Sequence, residues 1–201
     1  MTSAGNARAA RVEVLVTGYT SATGPGAPNA GTQATITYIR DGDRHFVVDP
    51  GMVASRTLIH DALASHGLTV DDVTDVILSH HHPDNIMNVG LFPNAWVHDQ
   101  FVSYRDDQWE DHDAEGRVLS DSVTLIRTPG HSPEGITALV GTPDGVVAIV
   151  GDLWWWPDGP VVDPVGDMRM QSASRRRVLE LADVIVPGHG PAFTPDESTP
   201  R

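Results

Sequence analysis

A chain of 201 residues, 40% hydrophobic and 20% charged, is long enough to bury a core without disulfide or metal staples. Its net charge of −14, from 13 basic and 27 acidic residues, sets the average surface against a polyanion such as DNA, and Arg175-Arg176-Arg177 is the one basic cluster. Cysteine is absent, which excludes disulfide frameworks, thiolate metal sites and cysteine nucleophiles, and no apolar run approaches the roughly 18 residues of a membrane span. The opening MTSAGNARAA lacks a signal-like apolar stretch, so a cytoplasmic location is expected. One domain over 1–201 is expected, with short tails at about 1–10 and 192–201.

In chain order, VEVLVTGY (12–19), ATITYIR (34–40) and HFVVDP (45–50) read as strands, with a Gly/Pro-rich loop over 21–31. Residues 53–66 place Leu58, Ile59, Ala62 and Leu63 on one helical face and stop at Gly67. DVILS (75–79) follows as a buried-type strand. Further strands are predicted over 123–128, 136–140 and 145–151. A second helix is predicted over 172–182 and a last strand over 184–187.

The two halves echo one another. FVVDPG, a helix and TDVILSHHH in the first are matched by VAIVGDL, a helix and ADVIVPGHG in the second. Each half sets an Asp (Asp49, Asp152) and a His (His80, His189) just past the carboxyl ends of apolar strands, where sheets of this kind gather ligands.

Ten histidines are present, and their placement carries more than their number. In Ser79-His80-His81-His82-Pro83-Asp84, an extended backbone projects His80 and His82 to one side, and Asp84 continues the alternation. His131 follows a strand in the turn Thr128-Pro129-Gly130. Imidazoles and carboxylates without thiolates suit zinc, iron or manganese. His45, His60, His66, His98 and His112 read as surface or core residues, and His81 as turned away from its neighbours.

The ordered set Asp49, His80-x-His82-x-Asp84, His131, Asp152, His189 resembles the metallo-β-lactamase superfamily. NVGLFPNA (88–95), TPGHSPEG and RRRVLELADVIVPGHGPAF resemble more narrowly its metallo-β-lactamase domain-containing protein 1 branch. The resemblance implies an α/β fold, an αββα sandwich of two mixed sheets with helices on the outer faces. It also implies one or two zinc ions per chain, with manganese or iron as alternatives. His80, His82 and His131 match the ligands of a first metal, Asp152 the carboxylate bridging two metals, and Asp84 and His189 ligands of a second. Asp49 matches the strand-end acid that supports the site from behind. Asn85 stands where the family pattern has His, and an amide oxygen is a weaker zinc ligand than an imidazole, so a second site that is weak, empty or selective for a harder metal is expected.

The expected reaction is attack of a metal-bound hydroxide on a small, fairly apolar ester, thioester or lactone, with Asp84 orienting the nucleophile or passing its proton on. Trp154, Trp155 and Trp156, directly after Asp152, are expected to line the substrate pocket, and Phe101, Tyr104 and Trp109 to cover its opening. The expected partner is a small-molecule substrate rather than nucleic acid or membrane; a homodimer is a further option. The alternatives are a phosphodiesterase or nuclease of the same superfamily and a metal-binding protein with little turnover.

Overall fold

The computed structural model describes residues 10–21 and 31–201, so most of the N-terminal tail and of the 21–31 loop lies outside the described residues. The strands in chain order are β1 (Arg11–Val16), β2 (Tyr19–Thr20), β3 (Thr32–Gln33), β4 (Ile36–Asp41), β5 (Arg44–Val48), β6 (Asp75–Ile77), β7 (Trp96–His98), β8 (Val102–Arg105) and β9 (Gln108–Asp111). They continue with β10 (Arg117–Val118), β11 (Val123–Arg127), β12 (Ile136–Thr142), β13 (Gly145–Ile149) and β14 (Val184–Val186). The helices are α1 (Thr57–Ser65), α2 (Pro83–Ile86) and α3 (Met168–Leu181).

One sheet runs β1-β4-β5-β6-β7-β8-β9 and the other β10-β11-β12-β13-β14, with β2 and β3 forming a small ribbon. Both sheets are mixed: β5-β6-β7 and β13-β14 pair in parallel and the rest antiparallel. Strand alternation explains the layering. Phe46 and Val48 of β5 face the second sheet, where they join Leu125, Ile136, Val140, Ile149 and Val186 in the central core. Val47, between them, faces the other way and packs with Val76, Ile59 and Leu63 under α1. On the far side, Ala148, Val150 and Ile185 meet Val178 of α3 and Trp154. The result is the expected αββα sandwich.

Several boundaries differ from the sequence reading. The strand read over 12–19 splits into β1 and β2, because the Gly18 N–H donates to Thr35 Oγ1 (3.1 Å) rather than to a ladder carbonyl. Leu58 is exposed, and α1 buries only Ile59 and Leu63. The second helix starts at Met168, where the Asp167 carboxylate accepts from Arg169 N and Met170 N (2.9 and 3.0 Å) as an N-cap. The segment holding Phe101, Tyr104 and Trp109 belongs to the β7-β8-β9 edge. Tyr104 packs on the α1-side core and stacks with exposed Trp109 (ring centroids 5.9 Å). The stretch after Ala192 is docked rather than a tail: Phe193 bridges Ile185, Thr199 is buried, and Pro200 O accepts from Trp154 Nε1 (3.0 Å). The arginine run does not form a basic patch. Arg175 is buried and Arg177 pairs with Glu115 (2.6 Å), which leaves Arg176 exposed.

The echo between the halves is real in space. β5 pairs in parallel with β6, and β13 with β14, with Val48 beside Ile77 and Ile149 beside Val186. Asp49, His80, Asp152 and His189 therefore leave the carboxyl ends of two corresponding strand pairs.

Candidate metal centre

Local sequence fixes the first two histidines. Pro83 opens α2, a position its locked φ and missing N–H favour, and it holds His82 in an extended conformation (φ −68, ψ 140). His80 and His82 then share a side, as the alternation predicts. His82 Nδ1 lies 3.0 Å from His80 Nε2 and 2.9 Å from His131 Nε2, and the three rings stand at 79–90° to one another. Asp152 Oδ2 closes the group at 3.4 Å from His131 Nε2 and 3.9 Å from His80 Nε2. One donor atom from each of His80, His82, His131 and Asp152 lies within 4.8 Å of every other, an arrangement able to hold a metal ion.

The outer ring nitrogens of His131 and His80 are engaged elsewhere. His131 Nδ1 meets Asp163 Oδ2 at 2.7 Å. Ser79 Oγ donates to Asp49 Oδ2 (2.6 Å) and lies 3.0 Å from His80 Nδ1, so the serine hydroxyl links Asp49 to His80. With those protons placed outward, the inward nitrogens bring lone pairs together. Lone pairs converging beside a carboxylate are stabilised by a cation, so the residues fit a divalent ion.

A second set adjoins the first. His189 Nε2 lies 3.2 Å from Asp152 Oδ2 and 3.6 Å from Asp84 Oδ2, and its Nδ1 donates to Gln33 O (3.0 Å). Asp152 Oδ2 thus stands between the groups. Thr32 Oγ1 donates to Asp84 Oδ2 (2.9 Å). Asn85 does not join these residues: its amide lies behind His80, 3.1 Å from His80 Nδ1 and 3.5 Å from Asp49 Oδ2, and its carbonyl oxygen is buried without a partner. The weak-ligand role expected for Asn85 is not the one this side-chain position offers.

Electrostatics follow from burial and the Asp152 charge. Burial drives His80 down to about 3, leaving it neutral and available as a ligand. Burial opposes ionisation of Asp152, but His189, His80 and His131 outweigh it and hold the carboxyl well below the usual range. Burial also opposes a charged His189, and the Asp152 carboxylate overcomes this to lift it to about 9. For His189 to serve as a ligand, that proton would have to leave.

The three tryptophans part company. Trp154 is fully buried in the core beneath α3, with the Arg175 guanidinium 5.3 Å from its ring centroid, so it offers no surface to a substrate. Trp155 stands edge-on to His131 and His189, with ring centroids 5.8 and 6.2 Å away. Trp156 contacts Trp155 and is partly exposed. His81 turns to Asp99 (3.1 Å), away from the centre. His98 is buried between Asp75 and Ser103 (2.8 and 2.7 Å). Asp163 and Thr32 are the residues that sequence reasoning missed. A signal existed for Asp163: Val-Val-Asp-Pro occurs at 47–50 and again at 161–164.

A family model described as the metallo-beta-lactamase superfamily matches residues 30–123. Metallo-beta-lactamase domain-containing protein 1 of Xenopus laevis is 34% identical over 190 residues, covering 90% of this chain and 80% of the relative. The chain belongs to the metallo-β-lactamase superfamily. It carries that superfamily's hydrolase fold with a His/Asp group able to bind metal. The chain spans 62% of the longer Rattus norvegicus protein of the same name. Among solved structures, a metallo-beta-lactamase from Thermotoga maritima is similar with a TM-score of 0.74 at 22% identity, covering 94% of this chain and 100% of that one. AidC, a dizinc quorum-quenching lactonase, is similar with a TM-score of 0.66 at 18% identity, covering 85% and 79% of the two chains. At these identities the structural likenesses establish the superfamily fold and no more.

Proposed function

We propose that this superfamily hydrolase cleaves a small, uncharged ester, thioester or lactone, with His80, His82, His131 and Asp152 holding one divalent ion and Asp84, His189 and Asp152 offering a second place. The observation that carries the reading is the convergence of three imidazole nitrogens and the Asp152 carboxylate on one point. A zinc ion held there would supply a water whose pKa is lowered to about 7 and a Lewis acid for a substrate carbonyl.

The chain's own residues supply the remaining steps. Water adds to the carbonyl carbon, the carbon–oxygen or carbon–sulfur bond of the leaving group breaks, and one proton passes from the water to the leaving atom. Asp84 is the group for that transfer, since its carboxylate remains partly accessible beside the buried His189. Thr32 fixes the Asp84 carboxylate by donating to Oδ2. Trp155 stands beside the ligands and Trp156 beside Trp155, a setting that favours an apolar group over a charged phosphodiester.

A panel of lactones, thioesters, esters and phosphodiesters, run with zinc and with manganese, tests the proposal. Turnover confined to carbonyl substrates is expected. Turnover confined to phosphodiesters contradicts it.

A further inference from the structure

Asp163 lies on the loop between Trp156 and α3, far in sequence from the histidine motif. Its side chain is fully buried, an unusual place for a charge, and every contact it makes is specific. Oδ1 accepts from Val165 N (2.9 Å) and Gly166 N (3.2 Å). Oδ2 accepts from Gln171 Nε2 (3.1 Å) and lies 2.7 Å from His131 Nδ1. Gln171 also donates to Leu153 O (3.2 Å), and Arg175, one turn on, donates to Leu153 O (2.8 Å) and Pro160 O (2.9 Å). Ser174 Oγ donates to Pro129 O (2.6 Å), beside the His131 turn. A buried polar face of α3 therefore grips the loops that carry His131, Asp152 and Asp163 together.

We propose that Asp163 is a positioning residue that accepts the Nδ1–H of His131, selecting one imidazole tautomer and turning the Nε2 lone pair toward His82 and Asp152. The role rests on the metal-binding reading above, because only a ligand needs that lone pair free. One competing contact exists: Trp155 Nε1 lies 3.4 Å from the same His131 nitrogen. The indole N–H serves as its donor only if His131 Nδ1 carries no proton. The shorter contact to a carboxylate is charge-assisted and decides the matter. Partners of this kind orient a ligating histidine and raise its basicity, and their loss costs about 10- to 100-fold in metal affinity.

Asp163→Asn tests the proposal with little change of shape. The amide oxygen stays with Val165 N and Gly166 N, so the new NH2 faces His131 Nδ1 and favours the opposite tautomer. In metal-free protein, imidazole nitrogen NMR is expected to show His131 protonated at Nδ1 in the wild type and at Nε2 in Asp163→Asn. Zinc affinity, measured by competition with a chelating dye, is expected to fall about 10- to 100-fold. Asp163→Ala, compared by thermal midpoint and the same NMR spectrum, keeps the test open if the Asn variant fails to fold; loss of the single Nδ1–H tautomer is expected. A folded variant with an unchanged tautomer and zinc affinity would leave Asp163 as a loop anchor and overturn the proposal. If the wild type takes up no zinc, the metal reading fails, while the tautomer comparison still judges Asp163.

Discussion

Gly188 shows how little room the centre leaves. A Cβ built there would come within 1.9 Å of Asp152 Oδ1, and the contact cannot be relieved without moving the carboxylate. Gly188→Ala is therefore expected to weaken metal binding by about tenfold or more, read as bound metal after dialysis, with the fold intact by circular dichroism. Gly51 plays the matching part for Asp84, since a Cβ there would overlap the Asp84 carbonyl oxygen at 1.6 Å. Both glycines follow strand ends, where the backbone packs directly against a site residue. At this scale His80, His82, His131, Asp152 and His189 were legible because their residue types and strand-end positions are local facts. The Gln33 carbonyl, Thr32 and Asp163 were not, since each acts across a tertiary contact between segments distant in sequence, and the turn of Asn85 behind its near neighbour His80 is set by packing rather than by residue type.

The helices differ in what a periodic pattern reveals. α1 buries Ile59 and Leu63, four residues apart, under the first sheet, each stabilising the fold by about 1.5–3 kcal/mol. Leu63→Ala is expected to destabilise by about 2–5 kcal/mol in a urea titration. Leu58→Ala, on the exposed side, should stay within about 0.5 kcal/mol. α3 buries Gln171, Ser174, Arg175 and Val178, so its inward face is mostly polar. A reading based on apolar spacing therefore starts the helix too late and mistakes Arg175 for part of a surface cluster. Burial lowers the Arg175 guanidinium to about 10, which still leaves it charged at neutral pH, and its backbone acceptors justify the buried charge. The β7-β8-β9 edge escaped notice for a related reason: β9 is wholly exposed and has no alternation.

Across the whole molecule the paired halves bring four site residues together from the strand ends of both sheets, and a separate polar network braces the first sheet. Asp75 accepts from Arg44 Nε (3.0 Å), Thr74 Oγ1 (2.7 Å) and His98 Nε2 (2.8 Å). Burial alone would raise its carboxyl, but the bonds from His98, Arg44 and Thr74 together hold it below the ordinary value. A carboxyl depressed on folding contributes stability above its unfolded pKa, near 3.9, and that contribution is lost as pH falls through the folded value. Asp75→Asn is expected to be less stable at pH 7 and to lose less stability than wild type on acidification below about pH 4, by denaturant midpoints across pH. A parallel loss in both proteins would remove Asp75 from the acid response. Among the described residues no helix is long and apolar enough to cross a membrane.

Metal content and zinc titration of wild type against His82→Ala bear most directly on the central claim, because His82 Nδ1 is the atom on which His80 and His131 both converge. At least one tightly held equivalent is expected in the wild type, with binding and hydrolysis lost together in the variant. Equal zinc uptake and equal turnover in both proteins would contradict the account.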